Sequence, residues 1–318
     1  MDRPKVVIVS RGPSEAFLEL VAEKFPITYN ILIVPPEGLL GEVEDAVVLI
    51  PEHAPINKGL LRRAKRLRLV QCGAGYDYVD LEEASRRGIY VANAAGVNKR
   101  AVTEHVFALI LTWAKKIISL NQSMRTGEWS KRDHVALELG GKTLGIVGLG
   151  HIGLEVAKRA LAFEMRVLAV RRRPIVPRGL DIRLVDLDTL LRESDIVSLN
   201  TALTKEMWHM IGARELNLMK RDALLVNTAR GAVVDEEALV EALRLKRIAG
   251  ACLDVYSEEP LPAESPVRGL ENVILTPHSA ASTKEARENR YGLFAENTRR
   301  VIEGRVPLNV VNRPLASP

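Results

Sequence analysis

The sequence predicts an α/β protein with two doubly wound parallel-sheet domains, one of them inserted into the other. Short aliphatic and β-branched runs alternate with amphipathic segments of helical periodicity along nearly the whole chain. This alternation is typical of parallel sheets covered by helices. The chain has 318 residues. This length exceeds that of an ordinary domain with a single hydrophobic core and is sufficient for two domains.

Each β-branched run is predicted to be a strand and each amphipathic run a helix. The predicted strands are Lys5–Ser10, Ala46–Ile50, Leu67–Gln71, Tyr90–Val91, Thr143–Val147, Arg166–Val170, Ile196–Leu199, Ala223–Asn227, Gly250–Leu253 and Val273–Leu275. The predicted helices are Glu15–Lys24, Lys58–Arg66, Leu81–Arg87, Gly153–Phe163, Leu187–Glu193, Ala213–Leu218 and Glu236–Leu243. Two longer helices are expected at about residues 100–125 and 283–303.

The two long helices predict where the chain passes from one domain to the other. Each of them follows a loop of small residues, which is suited to a hinge. Chain order then predicts one domain built from residues 1–98 and 286–318. Residues 99–285 form the second domain, inserted between these two segments.

The composition excludes several classes of protein. Hydrophobic residues make up 47% and charged residues 27% of the chain, so extensive disorder is excluded. No apolar run is long enough for a membrane span. The net charge is +5, but acidic residues are interspersed and only 4% of residues are aromatic, so nucleic acid is not the expected partner. The two cysteines do not have the spacing of metal ligands, and the N-terminal residues do not have the apolar core of a secretory signal peptide. We therefore expect a cytoplasmic protein.

A glycine-rich turn between a predicted strand and a predicted helix indicates a dinucleotide site. Gly148 permits the tight turn, Gly150 allows the backbone to approach a pyrophosphate, and Gly153 allows close packing of helix and strand. The N-terminus of the helix offers unpaired N–H groups and a partial positive charge to the phosphates. The pattern alone is weak evidence, but its position between strand and helix strengthens it.

The end of the next predicted strand bears on the choice of dinucleotide. A site for NAD usually has an acidic residue there, which accepts hydrogen bonds from the ribose 2′-hydroxyl. Here Arg171, Arg172 and Arg173 follow the strand. Guanidinium groups bind a 2′-phosphate, which a carboxylate would repel, so NADP(H) is predicted to be preferred and NAD(H) remains possible. The alternative interpretation is a solvated basic loop.

Three charged side chains follow later strands and could carry out the reduction of a 2-oxo acid. Arg230, Glu259 and His278 come after successive predicted strands, whose carboxyl ends share one edge of a sheet. A guanidinium group can orient a substrate carboxylate and carbonyl. A histidine can donate the proton that the carbonyl oxygen needs, and a neighbouring carboxylate keeps that histidine protonated.

These segments resemble the D-isomer-specific 2-hydroxyacid dehydrogenase family over nearly the whole chain. The segments that match are Gly73–Asp77, Ala101–His105, the glycine turn, Asn227–Gly231, Asp254–Pro260 and Thr276–His278. The resemblance implies a flavodoxin-like substrate domain, residues 1–98 and 286–318, around a Rossmann dinucleotide-binding domain, residues 99–285. It also implies a homodimer, helped by an arm around residues 124–139.

The resemblance assigns roles to individual residues. It implies that Arg230, Glu259 and His278 are catalytic, and that the backbone at Ala74 and Gly75 binds the substrate carboxylate together with Arg230 and His278. Asp254 is expected to meet the nicotinamide carboxamide. The full set of predicted cofactor contacts is Gly148, Gly150, His151, Ile152, Gly153, Arg171, Arg172, Arg173, Thr201, Ala229 and Asp254. No metal site is predicted.

The sequence departs from the family pattern at three places. Arg171 stands where an acidic residue is usual, which agrees with NADP(H). The segment Asn200–Thr204 lacks the His and Pro found in many members that use NAD, and it is expected to border the cofactor. The segment Pro51–His53 places Glu52 where relatives specific for phosphoglycerate tend to have a basic residue, which disfavours a phosphorylated substrate, although His53 weakens that argument.

The predicted function is reduction of small 2-oxo acids, glyoxylate and hydroxypyruvate first, to D-2-hydroxy acids by hydride transfer from NADPH. The main alternative is an enzyme similar to D-3-phosphoglycerate dehydrogenase, and oxidation of phosphite or formate is more distant. A non-catalytic, dinucleotide-sensing protein similar to the family's corepressors is the alternative from another class. His105 lies in a helical pattern and is interpreted as a packing or surface residue.

Overall fold

The computed structural model describes residues 3–52, 54–129, 135–171 and 179–315. The chain divides into two compact units, Met1–Asn98 with Thr283–Pro318 and Lys99–Ser282. The second crossing therefore lies between Ser282 and Thr283 rather than after residue 285. Thr283 caps the closing helix, because its side chain accepts a hydrogen bond from the Ala286 N–H group, and so the helix belongs to the first unit from its first turn.

The first unit contains a five-stranded parallel sheet. Its strands are β1 (Lys5–Val9), β2 (Asn30–Val34), β3 (Val48–Ile50), β4 (Leu69–Gln71) and β5 (Tyr90–Ala92). The order β2-β1-β3-β4-β5 is that of flavodoxin-like sheets. Its helices are α1 (Glu15–Lys24), α2 (Leu39–Glu42), α3 (Lys58–Arg63), α4 (Leu81–Arg86) and α11 (Lys284–Ile302).

Helices cover both faces of this sheet, as the continuous apolar sequence of β1 requires. Val7 and Val9 belong to one buried cluster, whereas Val6 and Ile8 belong to another that includes residues of α11. Strand β2 was not predicted from the sequence. It is a short edge strand, and most of its residues are only partly buried although Ile31–Val34 are all apolar.

The second unit contains a seven-stranded parallel sheet. Its strands are β6 (Thr143–Val147), β7 (Arg166–Val170), β8 (Ile182–Leu184), β9 (Ile196–Leu199), β10 (Leu224–Asn227), β11 (Gly250–Leu253) and β12 (Val273–Leu275). Its helices are α5 (Lys99–Ala114), α6 (Ile117–Arg125), α7 (His151–Ala162), α8 (Leu187–Glu193), α9 (Ala213–Leu218) and α10 (Glu236–Arg244). The order is β12-β11-β10-β9-β6-β7-β8, so the direction of winding reverses between β6 and β9. In open α/β sheets, ligands bind at the carboxyl ends of strands next to such a reversal.

The single long helix predicted for residues 100–125 is wrong. Lys116 has a left-handed backbone with φ of 51°, and it separates α5 from α6. The apolar periodicity continues across this residue, so the pattern could not reveal the break. Within the part of the chain that the structure describes, no helix combines the length and the apolar character needed to cross a membrane.

Candidate active site

The turn between β6 and α7 has the shape that a dinucleotide pyrophosphate requires. Gly148 has φ of +96°, and a β-carbon at Gly153 would lie 2.1 Å from the Gly148 carbonyl oxygen, so α7 can begin against the turn only with glycine there. A β-carbon at Gly150 would meet no atom within 4 Å, so the backbone is open at this point. His151 and Ile152 lie in the first turn of α7, whose N–H groups favour an anion. The turn therefore fits the phosphates of a dinucleotide.

The neighbouring strands bring further predicted cofactor contacts to this turn. Val170, the last residue of β7, pairs with Val147 of β6, which places Arg171 beside Gly148. On the other side, a β-carbon at Gly148 would lie 3.0 Å from the Thr201 backbone nitrogen. The structure therefore places Arg171 and Thr201 on opposite sides of the turn. The predicted contacts Arg172 and Arg173 lie outside the described residues.

Arg230 follows β10 in a bend that is fixed by Asn227. The Asn227 side chain accepts a hydrogen bond from the Ala229 N–H group at 3.0 Å and donates one to the Arg230 carbonyl oxygen at 2.9 Å. A β-carbon at Gly231 would come within 1.9 Å of the Tyr256 backbone, so glycine allows the two segments to touch. This contact brings Arg230 next to the segment that carries Glu259.

His278 and Glu259 form a direct pair. His278 Nδ1 lies 2.6 Å from Glu259 Oε2, and about 35% of each side chain is exposed. Burial raises the pKa of Glu259, but the hydrogen bond from His278 and the charge on that residue outweigh it. The Tyr256 N–H group, which donates to Glu259 Oε1 at 3.1 Å, and the charge of Arg230 add to this effect. The pKa of Glu259 therefore lies below its usual value, so the carboxylate persists as the pH falls through the range in which a free glutamate titrates.

The pair lines a largely apolar cavity of about 580 Å³. The residues around it come from the end of β12 and from the segments that follow β11 and β12. They are Tyr256, Glu259, Pro260, Leu261, Arg268, Leu275, Thr276, Pro277 and His278. A mostly apolar lining with a few polar and charged groups is typical of a small-molecule site.

Asp254 holds the loop that carries His278, residues 276–280, here called the histidine loop. Only 1% of the Asp254 side chain is exposed. Its carboxylate accepts hydrogen bonds from the N–H groups of Ser279 at 2.8 Å and Ala280 at 2.9 Å, and its carbonyl oxygen accepts one from the His278 N–H group at 2.8 Å. The predicted contact of Asp254 with the nicotinamide carboxamide stays a prediction.

The predicted substrate contacts Ala74 and Gly75 lie in the first unit, in the loop after β4. Asn93 donates a hydrogen bond to the Ala74 carbonyl oxygen at 2.9 Å, and the Ala94 N–H group donates to Gly73 at 2.8 Å, so this loop is held firmly. Among the described residues, no three His, Cys, Asp or Glu side chains are placed to hold a metal ion.

The negative charge of Glu52, which follows β3 in the same unit, has a cationic neighbour that the sequence did not reveal. Its carboxylate accepts a hydrogen bond from the Tyr291 hydroxyl at 2.8 Å, and an Arg290 guanidinium nitrogen lies 3.8 Å away. His53 lies outside the described residues. A cation therefore accompanies the acidic residue that was expected to disfavour phosphate.

Sequence reasoning missed several residues that support the site. Asn227 orients the bend at Arg230, and Tyr256 binds Glu259 through its backbone. His105 was interpreted above as a packing or surface residue. Its Nε2 lies 3.0 Å from Oγ1 of Thr276, which belongs to the histidine loop together with His278. The one signal in the sequence was that Asn227 and Thr276 lie in segments that match the family, Asn227–Gly231 and Thr276–His278.

Comparison with known proteins agrees with this geometry. Residues 107–280 match the family model described as "D-isomer specific 2-hydroxyacid dehydrogenase, NAD binding domain". The chain belongs to this family. The glyoxylate reductase of Thermococcus litoralis is 42% identical to it over an alignment of 331 positions, which covers 98% of this chain and 97% of that protein.

Two other similar proteins widen the comparison. The D-3-phosphoglycerate dehydrogenase of Archaeoglobus fulgidus is 39% identical over 288 residues, which cover 89% of this chain and 54% of that protein. An acyclic imino acid reductase whose structure was solved with NADPH and D-Arg has a TM-score of 0.86 and 31% identity, and the match covers 96% of this chain and 99% of that one.

Membership in the family confirms two predictions from the sequence, the family itself and the fold of two Rossmann-like parallel-sheet domains. The chain is an NAD(P)-dependent D-2-hydroxyacid dehydrogenase, and its second unit contains the matched dinucleotide-binding domain.

In this dehydrogenase, we expect Glu259→Gln to lower the reduction rate by about 10- to 100-fold, because it disturbs the placement of His278. Glutamine keeps the size of the side chain but removes the carboxylate that lies 2.6 Å from His278 Nδ1. The pKa of Glu259 lies below its usual value, so the wild-type carboxylate is ionised, and the loss should be present, throughout the measured range. Initial rates between about pH 5 and pH 9 measure the effect, with the exposed neighbour Glu258→Gln as the control. Identical profiles for Glu259→Gln and the wild type would show that Glu259 does not support the acid.

Proposed function

We propose that this enzyme reduces small 2-oxo acids of the glyoxylate and hydroxypyruvate type to D-2-hydroxy acids, with NADPH as the preferred hydride donor. The observation that carries the proposal is the pair of His278 and Glu259, 2.6 Å apart in the same unit as the glycine turn. The sequence identity of 42% to a glyoxylate reductase supports the substrate class. The test is the rate of 2-oxo acid reduction with NADPH and NADH in parallel.

In the proposed reaction, a dinucleotide held at the glycine turn would supply the hydride that reduces C2 of the substrate. Arg230 binds the substrate carboxylate and carbonyl oxygen through its guanidinium group and fixes the face of the carbonyl. Because Nδ1 of His278 faces Glu259, we assign Nε2 to the substrate. The imidazolium donates the Nε2 proton to the carbonyl oxygen as C2 is reduced, and Glu259 stabilises the imidazolium beforehand. The backbone of Ala74 and Gly75 remains the predicted second contact of the carboxylate.

The preference for NADPH rests on Arg171 at the end of β7, beside the glycine turn. We expect Arg171→Asp to raise KM for NADPH by about 10- to 100-fold, because a charge-assisted hydrogen bond to the 2′-phosphate is replaced by repulsion. KM for NADH should stay the same or fall. The matched control is Arg166→Asp at the other end of β7, where the residue is exposed. A wild-type preference for NADH would refute the proposed role of Arg171.

A second candidate function, reduction of a phosphorylated 2-oxo acid, is favoured by Arg290. This residue lies beside Glu52 at the carboxyl end of β3, and its buried Nε has no hydrogen-bond partner. A basic group there suits a phosphate, and the 39% identity to a D-3-phosphoglycerate dehydrogenase agrees. Comparison of kcat/KM for hydroxypyruvate and its 3-phosphate decides between the two candidates.

We also propose a cytoplasmic homodimer that forms through the segment after α5. Ile117 and Ile118 in α6 are 51% and 54% exposed, and Trp129 is 77% exposed, so this segment presents apolar surface to a partner. Both cysteines are free and buried, which suits a reducing compartment. Light scattering should give twice the mass of one chain, and a monomeric mass would refute the dimer.

A further inference from the structure

Hydrogen bonds connect helix α5 to the histidine loop through three side chains. His105 Nε2 lies 3.0 Å from Thr276 Oγ1, and Thr276 Oγ1 lies 2.6 Å from Asp254 Oδ1. Each oxygen of the Asp254 carboxylate in turn accepts a hydrogen bond from a backbone N–H group of the loop. The three side chains are separated widely along the sequence but meet within the second unit.

The protons available fix the direction of these hydrogen bonds. The Asp254 carboxylate can only accept, so the single hydroxyl proton of Thr276 points to Asp254. Thr276 Oγ1 must then accept from His105, which requires a proton on Nε2 of that imidazole. The order of donation is therefore His105 to Thr276 to Asp254. His105 Nε2 is also 3.5 Å from Asp254 Oδ1, so this N–H group faces the buried carboxylate as well as the hydroxyl.

The backbone of His278 shows why such support matters. His278 has φ of 50°, a left-handed conformation that is unfavourable for a residue with a side chain and persists only where surrounding contacts hold it. Its N–H group donates to the Asp254 carbonyl oxygen, and the next two residues bind the Asp254 carboxylate. The direction in which the His278 imidazole points, toward Glu259, thus depends on the placement of Asp254.

We propose that His105 and Thr276 are positioning residues, which hold the histidine loop in the conformation that presents His278 to Glu259 and to the substrate. They act on the loop through Asp254, whose carboxylate lies within 2.6 Å of Thr276 Oγ1 and 3.5 Å of His105 Nε2. The inference rests on the proposed function only in taking His278 as the proton donor. It gives His105 a role that its helical pattern did not indicate.

The kinetic test compares variants that remove each hydrogen bond with variants that keep it. Thr276→Val has the shape of threonine without the hydroxyl, and Thr276→Ser retains the hydroxyl. In the same way, His105→Ala removes the N–H donor and His105→Gln keeps one. We expect Thr276→Val and His105→Ala to lower kcat by about 10- to 100-fold, the size of effect that misplacement of a catalytic group produces. KM for NADPH should change much less than kcat, and the serine and glutamine variants should recover most of kcat.

A spectroscopic test needs neither substrate nor cofactor, so it separates this inference from the proposed function. The proton in the 2.6 Å bond between His278 and Glu259 should give a low-field ¹H NMR signal. The chain has six histidines, so the signal is assigned to His278 by its loss in His278→Asn. We expect the signal to shift or disappear in Thr276→Val and His105→Ala and to remain in Thr276→Ser.

The outcomes are distinct. A low-field signal and kcat that are both unchanged in Thr276→Val overturn the inference. A loss of kcat that comes with an equal loss of NADPH binding, and that serine does not recover, shows a merely structural role and also overturns it. If the wild type reduces no 2-oxo acid but the signal still responds to Thr276→Val, the positioning role stands and the proposed function fails.

Discussion

Replacement of His278 by asparagine should lower kcat for glyoxylate by about 10²- to 10⁴-fold and leave the affinity for NADPH unchanged. Asparagine cannot serve as the acid, so the carbonyl oxygen would have to take its proton from water. The glycine turn that fits the dinucleotide lies at β6, whereas His278 follows β12, so the change should spare dinucleotide binding. Stopped-flow single turnovers and a fluorescence titration with NADPH measure the two quantities.

Asparagine is the informative replacement because of the backbone at this position. His278 has φ of 50°, and asparagine tolerates the left-handed region better than most residues do. His209 has φ of 48°, so His209→Asn is a control with the same exchange in the same backbone conformation. If His278→Asn also abolishes NADPH binding, the residue has a structural role. If the wild type binds NADPH but turns over no 2-oxo acid, a dinucleotide-sensing function gains support.

The elements that the sequence predicted well are those with a strong apolar pattern and a clear end. Strand β6 is buried throughout and is followed at once by Gly148, so both its existence and its end are visible in the sequence. Strand β8 was missed because it has three residues, none fully buried, at the edge of the sheet. The break at Lys116 was missed because one residue with positive φ leaves no trace in a periodicity.

The candidate site could be predicted as far as parallel topology determines it. Arg230 and His278 follow strands of one parallel sheet, and the carboxyl ends of such strands share an edge. Contacts between distant helices and loops follow no such rule. The bond between His105 and Thr276 joins residues separated by 171 positions, and only the packed structure brings them together.

Removal of the guanidinium group of Arg230 should have an effect as large as the loss of the acid. We expect Arg230→Ala to lower kcat/KM for 2-oxo acids by about 10²- to 10⁴-fold, because two charge-assisted hydrogen bonds of about 1.5–3 kcal/mol each are lost. Both KM and kcat should change, since the same contacts bind the carboxylate and align the carbonyl. Affinity for NADPH should stay near that of the wild type.

The contribution of geometry, as distinct from charge, is measured by Arg230→Lys. Lysine keeps the positive charge but cannot form two parallel hydrogen bonds. We therefore expect kcat/KM of Arg230→Lys to stay about 10- to 100-fold below that of the wild type. The control is Arg268→Lys, because Arg268 lines the same cavity but donates its hydrogen bonds to the carbonyl oxygens of Leu261 and Pro262. If Arg230→Lys retains the wild-type kcat/KM, a point charge is sufficient and the bidentate contact is refuted. If Arg268→Lys is equally impaired, the substrate carboxylate is bound on the side of the cavity that Arg268 lines.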